Sequence, residues 1–428
     1  MILSSFNWMD ITPLIIMFAI AVIIPIVLAG FKLKFIPVLV VEIVAGIIIG
    51  NIPYFRDIFL EEGTHHFNGF VEGLYTIGLA VLLFISGLDV DFSVLKPERK
   101  NRVKTLPILK ISFLLIILVI LISFGLSFLF INHFVEDDLE TKIIGIVLLT
   151  VIFSSSFASI IISLIHDDNL AKTTIGKIIA TYSTLAEFIS ILVLSILMII
   201  REIVDDAKPW LLIIFIVILL AVYLIRKFIP TKIFKRMLGG IVHLDITLSF
   251  FILFALSFIT QLAGAEFILG TFLAGAIIKS TSIDEHEEQK IASIGYGLFI
   301  PIFYILVGFK VSVMIPFKEF ITFENILLVV EVFIALLIAK IPFLLLAKWF
   351  KLSTSISSIF VVTTTIIVGI ACEHFEIFTE ELTCAIIIAS ALTCVIPPIL
   401  LYVHNKFGYS KEKFDDVVIN PNEVSSEE

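Results

Sequence analysis

Long apolar runs separated by short polar connections set the pattern of this chain. A helix needs about 20 apolar residues to cross the hydrocarbon of a bilayer. Runs of that kind predict spans at 11–31, 35–51, 70–95, 108–130, 143–167, 176–200, 210–229, 244–264, 266–279, 295–311, 324–350, 356–375 and 381–404. The expected fold class is an all-α polytopic membrane protein of thirteen transmembrane helices, which puts the two chain ends on opposite sides. Residues 11–31 lack both a basic lead-in and a small-residue cleavage pattern, so they read as a retained span rather than a signal peptide.

Composition agrees with that pattern. The chain is 59% hydrophobic and 16% charged, with a mean hydropathy of +1.14, whereas soluble domains are about 45–50% apolar and 25% charged. A soluble enzyme is excluded. The net charge of −9 carries little meaning until the charges are placed relative to the membrane, and nucleic acid is not an expected partner. Cys372, Cys384 and Cys394 lie in or beside apolar runs without zinc-site or disulfide spacing. No cofactor is expected.

Lysine and arginine placement selects the orientation, because cytoplasmic loops carry the excess of basic residues. With the N-terminus outside, only Arg56, Lys142, Arg201, Lys208, Lys310 and Lys318 face outward, Lys340 lies within a span, and the other basic residues are cytoplasmic. The expected location is the plasma membrane, multi-pass, with residues 405–428 a short cytoplasmic tail.

Two segments far apart resemble each other. Phe84-Ile-Ser-Gly87-Leu-Asp-Val-Asp91 closes span 3 and Ile305-Leu-Val-Gly308-Phe-Lys-Val-Ser312 closes span 10. Span 3 runs inward and span 10 outward in this topology, as in an inverted repeat. Spans 1–6 and 8–13 form the two expected halves, linked by span 7.

An ionisable group at the bilayer centre costs at least about 2.5–3.5 kcal/mol and therefore needs a reason to be there. Glu187 sits at the middle of span 6, Lys340 near the middle of span 11, and Glu42 near the middle of span 2. Spans 5 and 12 carry polar clusters at the same depth: Ser154-Ser155-Ser156 and Thr363-Thr364-Thr365. Such hydroxyls suit places where a helix unwinds beside a buried ion, or they tie neighbouring helices together. Glu187 is either an ion site or half of a locked pair. Lys340 either takes part in exchange or neutralises a neighbour. Glu42 lies among the small residues of Glu42-Ile-Val-Ala-Gly46-Ile-Ile-Ile-Gly50 and is a secondary candidate, with packing the alternative. Glu331 is expected to reach the outer surface, and Glu266 to open span 9 at the outer boundary.

The Leu82-Leu83-Phe84-x-x-Gly87-Leu88-Asp89-x-Asp91 end of span 3, Leu269-Gly-Thr-Phe-Leu-Ala-Gly275 in span 9 and Val307-Gly308 in span 10 resemble monovalent cation:proton antiporters of the Kef/Nap type. The likeness covers roughly residues 10–405. It implies a homodimer with two discontinuous crossing helices and a mobile core (108–200 and 324–404) beside a dimerisation scaffold (11–95 and 210–311). The core carries the ion in an elevator-like shift. It also implies ion binding by Glu187, polar residues of the crossing helices at Ser154, Ser155, Ser156, Thr363, Thr364 and Thr365, and a charge-compensating Lys340. Electrogenic relatives have two adjacent aspartates in span 6. This chain has Ala186-Glu187, so one exchangeable acid is missing. Relatives of the Kef kind carry a cytoplasmic nucleotide-binding domain after the last span; the residues after 404 are too few to form one.

A single carboxylate couples opposite movements if a proton and a cation compete for it. The expected function is therefore exchange of Na+ or K+ for H+, one for one and electroneutral, with lipid the only other partner. Two alternatives differ in coupling: an uncoupled or ligand-gated monovalent cation channel or sensor of the same fold, and an organic-anion symporter on a related scaffold.

Overall fold

The computed structural model describes residues 11–31, 37–61, 64, 66–88, 108–135, 139–158, 161–162, 174–206, 244–262, 267–280, 285–315, 322–348, 352–363 and 377–406. Among these the regular structure is helical, apart from two isolated bridges, Leu60 with Phe67 and Phe134 with Phe378. The α-helices are α1 (Thr12–Gly30), α2 (Val38–Gly50), α3 (Pro53–Phe59), α4 (Gly69–Leu88), α5 (Ile108–Ser127), α6 (Leu139–Ser154), α7 (Thr174–Asp206), α8 (Leu244–Leu262), α9 (Phe267–Ser280), α10 (Glu285–Ile294), α11 (Ile300–Met314), α12 (Phe323–Ala339), α13 (Leu352–Val362) and α14 (Glu380–Lys406).

Six described helical stretches are long and apolar enough to cross a membrane: Thr12–Gly30, Gly69–Leu88, Ile108–His133, Thr174–Leu197, Glu288–Met314 and Phe323–Lys348. A seventh crossing is the pair α2 and α3 if their 102° bend lies within one span. The chain is thus a multi-pass membrane protein, helical in its described spans. Predicted span 7 (210–229) lies outside the described residues.

Three predicted spans are interrupted. The helix of span 5 stops at Ser154. Span 10 opens with a π turn, Gly295–Phe299, ahead of Pro301; proline lacks the N–H that the carbonyl four residues back would take, and a widened turn absorbs the mismatch. Span 11 passes from α-helix to a 3-10 segment, Ile341–Lys348, at Lys340, where Pro342 likewise withdraws a donor.

The chain divides into two compact units. The first comprises Met1–Val90 and Ser195–Ile326. Its most extensive helix pairings are α2 with α11 and α4 with α9, and both rest on glycines. A Cβ at Gly46 would overlap the backbone of Ile305 and Phe309, and one at Gly308 would overlap that of Ile43. A Cβ at Gly275 would overlap Phe84 and Leu88, and one at Gly87 would overlap Phe272 and Ala276. Backbones this close exclude any side chain. Gly46 faces Ile305 and Phe309 while Gly50 faces Phe309 and Ser312, so α2 and α11 run in the same direction. Arg56 on α3 donates to Gly50 O at 2.6 Å and Ser312 O at 2.8 Å, capping the carbonyl ends of both helices.

The second unit comprises Asp91–Leu194 and Leu327–Glu428. Its core joins Ile111, Leu115 and Val119 of α5, Ile178, Ile179, Tyr182 and Ala186 of α7, Phe343 and Leu346 of the 3-10 segment, and Ile359 and Val362 of α13. Outward apolar positions on α5, such as Ile117 and Leu121 at 54% and 62% exposure, fit a lipid environment. Within this unit Glu187 and Lys340 are only 2% and 0% exposed.

Candidate functional site

The site is a break in the chain. α6 ends at Ser154, residues 155–157 are not helical, and Ala158 is helical again. A break of this kind exposes the carbonyls that end one helix and the N–H groups that begin the next. Both sides are served here by buried charges.

On the N–H side, Glu187 of α7 accepts a hydrogen bond from the Ala158 backbone at its Oε2, 2.8 Å away. On the carbonyl side, Lys340 Nζ donates to Ser154 O and Ser155 O, both at 2.7 Å. It also lies 3.4 Å from Ser156 Oγ and 3.2 Å from the Tyr182 hydroxyl. A carboxylate is favourable at a helix start and an ammonium at a helix end, and hydrogen bonds with one charged partner are the strong ones. Among the described residues no carboxylate forms an ion pair with Lys340. The acid and the base are therefore stabilised separately, by the broken backbone, and not as a locked pair.

The serines divide their labour. Ser154 and Ser155 turn their hydroxyls back onto their own helix, to Val151 O at 3.2 Å and Ile152 O at 2.9 Å, so they offer carbonyls to Lys340. The Ser156 hydroxyl reaches across to Val362 O at 2.6 Å, the last helical residue of α13. The ends of the two polar-centred spans thus meet. Thr363 is buried, with its hydroxyl returned to Ile359 O at 2.5 Å. Thr364 and Thr365 lie outside the described residues, as does Glu266.

Elsewhere, Glu42 is 2% exposed on α2 of the first unit. Glu331 is exposed on α12. Three participants were not legible as site residues in the sequence. Ala158 and Val362 act through backbone atoms. Tyr182 left a usable signal, because a buried phenol requires a hydrogen-bond partner.

Comparisons with known proteins assign the family. The family model described as "Sodium/hydrogen exchanger, transmembrane" matches residues 18–402. The chain belongs to that family of transporters. It is 26% identical over 409 residues to the putative Na(+)/H(+) antiporter YjbQ of Bacillus subtilis, covering 91% of this chain and 62% of that protein. It thus spans less than two thirds of that relative's length. It is 26% identical over 310 residues to the probable Na(+)/H(+) antiporter 3 of Methanocaldococcus jannaschii, covering 71% of this chain and 72% of that protein. A shorter likeness, 31% over 61 residues, reaches the Na(+)/H(+)-K(+) antiporter GerN of Bacillus cereus, covering 14% of this chain and 16% of that protein.

Proposed function

We propose that the protein exchanges a monovalent cation, Na+ or K+, for a proton at Glu187, one for one and without net charge movement. The observation that carries this reading is the Glu187 carboxylate, 2% exposed, held at a helix break by the Ala158 N–H with no counter-ion from Lys340. A carboxylate so placed binds either a proton or a cation. The names of the relatives, Na(+)/H(+) antiporters and a Na(+)/H(+)-K(+) antiporter, support sodium first and potassium second.

Ser154, Ser155 and Ser156, with Thr363, Thr364 and Thr365, supply oxygens around the acid, and Lys340 compensates charge at the carbonyl end of the break. Transport follows an elevator-like shift in which the unit containing Glu187 moves as a body. The working protein is a homodimer of thirteen-span subunits in the plasma membrane, N-terminus outside and C-terminus in the cytoplasm. The glycine contacts support the inverted repeat. Gly46 meets the residues three before and one after Gly308, and Gly275 meets those three before and one after Gly87. Gly46 and Gly275 each follow an alanine, Ala45 and Ala274, so span 2 corresponds to span 9 as span 3 does to span 10.

The test is proteoliposome exchange. Adding Na+ or K+ outside vesicles with a proton gradient should dissipate the gradient in the wild type and leave it intact for Glu187→Gln of normal folding. Exchange retained by Glu187→Gln would move the site elsewhere, with Glu42 the first residue to examine.

A further inference from the structure

We propose that Tyr182 is a positioning residue for ion exchange: its hydroxyl keeps Lys340 seated on the carbonyl end of the broken α6, away from the carboxylate of Glu187. This rests on the reading of Glu187 as the exchanging group.

A lysine ammonium has three N–H donors. Ser154 O and Ser155 O take two of them at 2.7 Å. The third has the Tyr182 oxygen at 3.2 Å and Ser156 Oγ at 3.4 Å. Ser156 spends its own proton on Val362 O at 2.6 Å. Tyr182 donates to Ser154 O, 3.4 Å away, which leaves its lone pairs for Lys340. Lys340, Tyr182 and Ser154 O therefore close a three-membered ring in which each contacts the other two.

The aromatic ring strengthens the seat. Lys340 Nζ lies 5.5 Å from the Tyr182 centroid, within the range where a cation is attracted to the ring. The ring also packs edge-on against Phe343 at 4.7 Å, three residues beyond Lys340. Tyr182 is fully buried and lies on α7 five residues before Glu187. The intervening Ala186 belongs to the apolar core and offers Lys340 no polar side chain. The phenol therefore makes the side-chain link from the helix of the acid to the base.

Without the hydroxyl, the ammonium loses one of its anchors. A lysine freed from the break becomes an internal competitor for the Glu187 carboxylate and opposes cation binding. Tyr182→Phe keeps the ring and removes only the oxygen. The hydrogen bond lost is one to a charged group, so KM for the cation should rise about tenfold, while kcat stays near wild type. Phe343→Leu, which loosens the ring but keeps the hydroxyl, should lower thermal stability and raise KM less than Tyr182→Phe does.

The decisive measurement is a double-mutant cycle with Lys340→Met. Half-saturation is read in detergent as the cation-dependent rise in melting temperature, so variants that do not turn over still report. If Tyr182 acts through Lys340, Tyr182→Phe adds nothing in the Lys340→Met background. Tyr182→Trp, whose indole donates but does not accept, should behave like Tyr182→Phe and serves if the phenylalanine variant fails to fold. A wild-type KM in Tyr182→Phe, or an equal rise with Lys340 already removed, would overturn the inference. Failure of the underlying reading looks different, because Glu187→Gln would then retain exchange whatever Tyr182 does.

Discussion

Glu187 and Lys340 hold opposite sides of one break in the backbone, the acid on the Ala158 N–H and the base on the Ser154 and Ser155 carbonyls. Each charge meets the helix end of opposite partial charge. Two ionisable groups so buried would be costly without such partners. The arrangement also leaves the two groups independent. A change of ligand at Glu187 need not dissolve an ion pair with Lys340, which is the condition for a single carboxylate to alternate between proton and cation.

Competition for one carboxylate has a kinetic signature. Over the pH range in which Glu187 is protonated when no cation is bound, each unit of acidification should raise the half-saturating cation concentration about tenfold by mass action. The maximal rate should stay constant. Measuring initial exchange rates against cation concentration at a series of equal internal and external pH values checks this. Acidification that lowers the maximal rate alone would indicate protonation at a separate regulatory group.

Lys340→Met should destabilise the protein. It removes the charged donor that Ser154 O and Ser155 O each hold at 2.7 Å, and a hydrogen bond to a charged group is worth about 1.5–3 kcal/mol. Thermal unfolding in detergent should show a clear drop in midpoint. An unchanged midpoint together with unchanged exchange would make Lys340 a spectator.

The glycine crossings predict a matched set of defects. Gly46→Ala, Gly308→Ala, Gly87→Ala and Gly275→Ala each force a methyl into backbone atoms of the facing helix, and overpacking of this kind costs about 1–3 kcal/mol or more. The positions that the proposed inverted repeat pairs, Gly46 with Gly275 and Gly308 with Gly87, should suffer equally. Gly125→Ala on α5 has nothing within 4 Å and should be neutral or slightly stabilising. Folded yield after size-exclusion chromatography ranks the five variants.

One cation against one proton moves no net charge. The rate of sodium-driven proton flux should therefore be the same at zero and at an imposed membrane potential. A rate that rises or falls with potential would show that a second charge, with Lys340 the nearest candidate, crosses in the cycle.

Much of the site could be read from residue type and depth. Glu187 and Lys340 stood out because charge inside an apolar run is expensive, and Ser154–Ser156 marked the break because hydroxyls substitute for lost helical bonds. The division of labour was not legible. Whether a serine presents its hydroxyl or its carbonyl depends on the rotamer and on where the helix stops. Ser154, Ser155 and Ser156 share a residue type and differ in which atom reaches Lys340. Tyr182 reads first as packing, as any aromatic residue in an apolar helix does, although its hydroxyl demands a partner. Of the fold, the span 3 and span 10 likeness was visible. The match of Gly46 with Gly275 emerged only when both were seen against the helices they touch. The 3-10 segment after Lys340 was signalled by Pro342, but proline inside a span indicates an interruption without naming its form.

Proton release on cation binding tests the central claim most directly. Purified protein in weakly buffered detergent is titrated with Na+ or K+ at a pH where Glu187 carries its proton, and the protons appearing in solution are counted against cations bound. Binding should release one proton per cation in the wild type, and Glu187→Gln should release none. Cation binding to the wild type without proton release would contradict the claim.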